Sequence, residues 1–203
     1  MMKKIALAAF AAAVLVLPKA NAQTHDVTLN LAPMAFGNYS GNYSYNFNET
    51  MSAGSVFGFQ NLEVGSGDDK VGFKGFYIAP EYRYYFNPDR KGNNGFFAGG
   101  YMKYRNMWTT GGANTIETYD GTNTTTFSYD EKHSGLAAGV IAGNVWTAKS
   151  GIIFSTWFGL GYYLFDKTTY TNNYKPDPNT SIVTNLPALD FRLGLSIGYR
   201  FGM

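Results

Sequence analysis

The sequence predicts an all-β protein, an eight-stranded antiparallel up-and-down transmembrane β-barrel preceded by a cleaved signal peptide. Three observations carry that expectation. Eight segments alternate large apolar residues with small or polar ones, and the connectors between them fall into a short set and a long set. The 203 residues also include 17% aromatic but only 15% charged side chains. An ordinary soluble domain carries about 25% charged residues, and a disordered chain could not hold 16 Tyr, 16 Phe and 3 Trp. With 24 Gly as well, the balance is that of a β-protein built from small and aromatic residues.

Residues 1–22 read as an address rather than as fold. A basic start with Lys3 and Lys4 precedes thirteen consecutive apolar residues, 5–17, and Ala20-Asn21-Ala22 supplies the small-x-small pattern of a cleavage site before Gln23. A membrane-spanning helix needs about 20 apolar residues, so this run is too short for an anchor. The expected division is a signal peptide at 1–22 and an outer-membrane β-barrel domain at 23–203. Losing the lysines at 3, 4 and 19 moves the formal charge from +2 to −1. The precursor's basic balance therefore implies no nucleic-acid partner. The absence of cysteine excludes a disulfide framework, thiolate metal sites and a cysteine nucleophile.

The strands follow in order. The first, 27–36, is weakly patterned. In the second, Tyr39, Tyr43, Tyr45 and Phe47 oppose Ser40, Asn42, Ser44 and Asn46. The third spans 51–60. In the fourth, Phe76, Ile78, Pro80, Tyr82, Tyr84 and Phe86 oppose Tyr77, Ala79, Glu81, Arg83 and Tyr85. The fifth covers 95–106. The sixth, 134–146, is ambiguous in register, because either parity leaves small residues on both faces. In the seventh, Ile152, Phe154, Phe158, Leu160, Tyr162 and Leu164 oppose Ser155, Trp157, Gly159, Gly161 and Tyr163. The eighth is the clearest: Leu189, Phe191, Leu193, Leu195, Ile197, Tyr199 and Phe201 alternate with Asp190, Arg192, Gly194, Ser196, Gly198 and Arg200. Pro33 and Pro80 each lack a ladder donor and predict a bulge or a strand end.

Connectors at 48–50, 87–94 and 147–151 are short and turn-rich, which suits the periplasmic side. Those at 37–38, 61–75, 107–133 and 165–188 lie opposite, and three of the four are long, as on the extracellular side of an outer-membrane barrel. Alternation alone also fits a soluble lipocalin-like barrel that carries a small apolar ligand. The deciding consideration is width, since eight strands leave an interior that side chains fill or one small ligand occupies. The Gly-, Ser- and Asn-rich face suits that space, and the Phe, Leu and Tyr face suits lipid hydrocarbon. Localisation in the bacterial outer membrane, with outer-membrane lipids as partners, is the corresponding expectation.

The last strand, Leu193-Gly194-Leu195-Ser196-Ile197-Gly198-Tyr199-Arg200-Phe201, resembles the final strand of the small bacterial outer-membrane β-barrels of the OmpA transmembrane-domain and OmpX type. The stretch Tyr77-Ile78-Ala79-Pro80-Glu81-Tyr82-Arg83-Tyr84-Tyr85-Phe86 is similar to a segment of uncharacterised members of that group. The resemblance covers nearly the whole of 24–201. It implies that Tyr199 and Phe201 form a C-terminal assembly signal read by the barrel-assembly machinery, although Gly202 and Met203 extend past the usual terminal aromatic. It also implies a non-enzymatic role, structural or in adhesion and recognition, with no peptidoglycan-binding domain following.

In this register Glu81, Arg83, Lys103, Arg105, Asp190, Arg192 and Arg200 fall on the inward face. They could form a conductance path, but a narrow lumen favours a network of paired charges. His25 reads as a solvated tail residue. His133 and Ser134 suggest the alternative of a lipid A-modifying enzyme, because a few barrels of this kind are outer-leaflet acylases or deacylases with a Ser-His pair. Asp130 and Glu131 are near enough in sequence to orient such a base. Neighbours on a strand point to opposite faces, however, which keeps His133 and Ser134 apart if both are in the ladder. Asp120-Gly121, between Thr- and aromatic-rich runs, predicts a hairpin in the 107–133 connector. An extracellular ligand would sit there or on 165–188. Asp68-Asp69 lacks the further ligands of a calcium loop. No pattern for a metal or cofactor stands out.

Overall fold

The computed structural model describes residues 24–66, 70–86, 93–111, 115–120, 123–128, 130–170 and 188–202. The signal peptide at 1–22, its cleavage point, Asp68-Asp69 and most of the 165–188 connector lie outside these residues. Eight strands close into a barrel, in chain order β1 (Thr24–Asn30), β2 (Asn38–Asn46), β3 (Met51–Val64), β4 (Val71–Tyr85), β5 (Gly95–Gly111), β8 (Glu131–Thr147), β9 (Ile152–Tyr170) and β10 (Leu189–Phe201). Each pairs antiparallel with the next, and β1 closes on β10 with His25 opposite Phe201 and Asn30 opposite Ser196. Closure gives every strand of the wall a hydrogen-bonded neighbour on both sides, the arrangement by which strands cross a bilayer. Among the described residues no helix is long and apolar enough to cross a membrane.

Between β5 and β8, β6 (Thr115–Asp120) and β7 (Asn123–Ser128) form a separate two-stranded sheet closed by the pair Asp120 and Asn123. This is the hairpin that Asp120-Gly121 predicts.

The alternation of burial assigns the faces. Along β9, Ile153, Ser155, Trp157 and Tyr163 are buried, while Ile152, Phe154, Phe158, Leu160 and Tyr162 are exposed, and β10 and β4 repeat the pattern. The exposed set forms an apolar belt around the outside. At its short-connector edge, aromatic pairs two residues apart meet edge-on: Tyr45 with Phe47 at 5.1 Å, Tyr84 with Phe86 at 5.4 Å, and Tyr199 with Phe201 at 4.9 Å. Such girdles mark the interface of a transmembrane barrel.

Several expectations are corrected. The first strand is not 27–36; it runs earlier, and Ala32–Phe36 form a 3-10 turn with Pro33 at its start and Gly37 in the left-handed conformation at its end. Pro33 thus follows a strand end. Pro80 instead sits within β4, where the register with β5 is the same on both sides of it: Ile78 faces Tyr104 and Glu81 faces Tyr101. No bulge forms, because only the bridges at 79 and 80 are absent from an otherwise continuous ladder. The strands also extend into segments expected to be loop. The connector expected at 61–75 shrinks to 65–70, β5 continues to Gly111, β8 begins at Glu131 and β9 runs to Tyr170.

The ambiguous register of 134–146 resolves with Ala137, Ile141 and Val145 inward. Ile141 and Val145 face a cluster of Tyr85, Phe97, Tyr101, Ile153 and Trp157 that fills the short-connector half of the lumen. Small residues on the facing strands make room for it. A Cβ at Gly161 would lie 2.5 Å from Tyr101 Oη, and one at Gly194 would meet the Trp157 indole.

Candidate functional site

All seven charged residues of the predicted inward set face the lumen. Near the short-connector end Arg200 makes a bidentate pair with Asp26, with Nε and Nη2 each donating at 2.7 Å, and Nη2 also reaches the Asn93 carbonyl at 3.3 Å. Arg83 pairs with Glu81 and lies 4.6 Å from the centre of the Phe97 ring. Glu81 also accepts from Asn42 Nδ2 at 3.0 Å.

Higher in the lumen, Asp190 collects three donors: Lys103 Nζ at 2.6 Å, Tyr101 Oη at 2.9 Å and Tyr163 Oη at 3.2 Å. Arg105 pairs with Asp166 and stacks on Tyr163, 3.9 Å from the ring centre. Arg192 is held between two aromatic faces, 4.5 Å from the centre of Tyr101 and 4.9 Å from that of Trp157. Its nearest carboxylate oxygen is Glu81 Oε2 at 3.8 Å. These pairs and stacks rigidify the interior, as buried charges require.

A cavity of about 230 Å³ lies at the long-connector end of the lumen. Lys103, Arg105 and Arg192 line it together with Asn30, Asn38, Gln60 and Tyr77, and Pro33, Met107, Trp157, Phe191 and Leu193 also border it. Tyr77 Oη is 3.2 Å from Asn38 Oδ1, to which it donates. Further toward the rim, His133 Nε2 is 3.1 Å from Glu131 Oε2 and its Nδ1 is 3.2 Å from Thr168 Oγ1.

Ser134 is not part of that arrangement. Its side chain points outward and hydrogen-bonds Asn106 Oδ1 at 3.4 Å, whereas His133 is buried on the inner face. The two residues of the proposed nucleophile pair therefore lie on opposite sides of the wall. His25 contacts Tyr43 Oη at 2.8 Å on the outside. Tyr199 and Phe201 belong to the outer aromatic girdle, with the same arrangement as Tyr84 and Phe86. Among the described residues no group of three or more His, Asp or Glu side chains is placed to hold a metal.

Two members of the network escape the sequence pattern. Asp26 precedes the expected start of the first strand. Asp166 lies past a bulge: Leu136 pairs with Phe165 and Ala137 with Tyr163, so Leu164 is an extra residue and the faces exchange. Leu164 and Phe165 both face outward, and Asp166 turns in toward Arg105. Two consecutive apolar residues where the alternation breaks are the sequence signal of that exchange.

The fold is shared with solved structures. A major outer membrane protein from Thermus thermophilus matches at 12% identity with a TM-score of 0.50, over 88% of this chain and 98% of the other. The attachment invasion locus protein Ail of Yersinia pestis matches at 11% identity with a TM-score of 0.45, over 88% of this chain and 96% of that one. No curated relative matches in sequence. The model of one family, described as "Protein of unknown function (DUF3575)", matches residues 8–201. The match spans nearly the whole barrel, and the chain belongs to the DUF3575 family.

Proposed function

We propose that the protein is a non-enzymatic outer-membrane barrel, exported by a signal peptide at 1–22, that anchors its long connectors at the cell surface for a structural or recognition role. The observation that carries this reading is the contrast between its two surfaces. The outside is an apolar belt edged by aromatic pairs, while the inside is filled by Tyr85, Phe97, Ile141, Val145 and Ile153 below and ion pairs above. Such a lumen offers no open path for conduction. What remains available to a partner is the long-connector end, where β6 and β7 present a hairpin and β9 runs on to Tyr170. Tyr199 and Phe201 serve the assembly machinery in this reading.

Intact expressing cells treated with protease should be clipped within 112–130 or 171–188, with the rest of the chain protected. The outer-membrane fraction should give a band whose mobility shifts on boiling. A heat-insensitive band in the periplasmic fraction, or clipping at 86–94 in intact cells, would overturn the placement. Planar-bilayer recordings should show no discrete conductance.

A further inference from the structure

We propose that the cavity at the long-connector end of the lumen is a binding site for a phosphate or sulfate group of a small soluble solute. Charge is the first ground. Three cations line the cavity, Lys103, Arg105 and Arg192, and two carboxylates, Asp190 and Asp166, pair with the first two of them. Arg192 has none at hydrogen-bond distance: Glu81 Oε2 lies 3.8 Å from its Nη1, and the other oxygen of that carboxylate already accepts from Arg83 and Asn42.

Hydrogen bonding is the second ground. Arg192 is 7% exposed, yet neither Nη1 nor Nη2 has a protein hydrogen-bond partner. Buried guanidinium donors without acceptors are costly, and an anion is the ligand that relieves the cost. Stacking between Tyr101 and Trp157 fixes the guanidinium in place, so little ordering remains for a ligand to impose. Lys103 has three ammonium donors and uses one on Asp190. Arg105 Nε is likewise without a partner.

Shape selects the ligand class. Lys103, Arg105 and Arg192 reach the cavity from two sides of the barrel, on β5 and β10. A tetrahedral oxyanion, with acceptor oxygens in several directions, meets divergent donors better than a planar carboxylate does. Pro33 and Met107 leave an apolar shelf for a small organic remainder. The cluster around Phe97 closes the lumen below, and the outward-facing Phe191 and Leu193 of β10 also border the cavity, above the point where the β1–β10 ladder ends at Asn30 and Ser196. A solute arriving from water therefore enters from the long-connector side, away from that cluster. This inference is independent of any binding by the connectors themselves.

The test is calorimetric titration of the full barrel in zwitterionic detergent with inorganic phosphate and with sulfate, against chloride at matched ionic strength. Saturable binding of the oxyanions alone is expected. Arg192→Gln should weaken it on the order of tenfold, a change of about 1.4 kcal/mol, and Asp190→Asn, which releases Lys103, should strengthen it. The heat-dependent mobility shift confirms that each variant is folded. If Arg192→Gln fails to fold, Lys103→Gln decides in its place, with a severalfold loss expected. Oxyanions that titrate no differently from chloride, or affinities unchanged in the folded charge variants, would overturn the proposal.

Discussion

The two ends of the lumen solve the same packing problem with different chemistry. At the short-connector end, aromatic and branched side chains interlock, and the Asp26–Arg200 pair there has matched charges and bidentate geometry. At the long-connector end, stacked cations line a cavity, and Arg192 among them has no carboxylate at hydrogen-bond distance. Both ends are narrow, so the difference is not one of available width. The lower half is a packed stopper, and under the oxyanion proposal the upper half is a socket, so that stability and recognition would be divided along the axis.

The largest effect should come from breaking the lower end. Arg200→Met leaves Asp26 buried without its partner and should cost about 3–5 kcal/mol in urea unfolding from detergent. Replacing both residues by apolar ones of similar size should recover most of that loss. If Arg200→Met is neutral, the lower end is not where stability resides.

A smaller effect is expected at the rim. His133→Ala removes the contacts to Glu131 and Thr168 and leaves a buried carboxylate short of a partner, worth about 1–3 kcal/mol. Ser134→Ala, on the outer face, should change unfolding little. Equal losses from the two substitutions would contradict the opposite placement of these neighbours.

Ile153→Val trims one methylene from the lower cluster and should cost about 0.5–1.5 kcal/mol in the same assay. The smallest expected effect lies outside the membrane belt. Glu63 accepts from Lys70, 2.6 Å away, and that hydrogen bond and the lysine's charge hold its carboxyl below the ordinary value. A carboxyl depressed on folding stabilises the folded state above its unfolded pKa, and the contribution is lost as pH falls through the folded value. Acid titration of unfolding should show a slight loss below about pH 4.5 that Glu63→Gln abolishes, and added salt should shrink it. A slope that survives Glu63→Gln would belong to other carboxylates.

Strand β10 shows how much of the fold was legible. Its unbroken alternation gives both faces and the inward positions of Asp190, Arg192 and Arg200 without ambiguity. The 134–146 segment was not legible, because Gly and Ala satisfy either parity and only the facing Phe97 and Tyr101 choose between them. Asp166 was hidden for a different reason. A bulge is a tertiary decision that adds a residue to one ladder, and counting by twos through Leu164 places every later side chain on the wrong face. The pairing of Arg105 with Asp166 and the caging of Arg192 depend on closure of the barrel, which brings together residues distant in sequence. The cationic set itself was visible, but the cavity it lines was not.

The meeting of β1 with β10 has a further consequence. β1 has seven residues, against nineteen in β9, so the seam that shuts the cylinder has one of the shortest backbone zippers in the wall. Side chains clasp it at both ends: Arg200 grips Asp26 near one, and at the other Asn30 donates to the Leu193 carbonyl at 3.4 Å and accepts from the Leu195 amide at 3.1 Å. For the cylinder to close, β1 and β10, far apart in sequence, must find each other. Two clasps on a short zipper make that closure depend on the match of particular side chains, so the correct partner is favoured over any exposed strand that happens to be nearby.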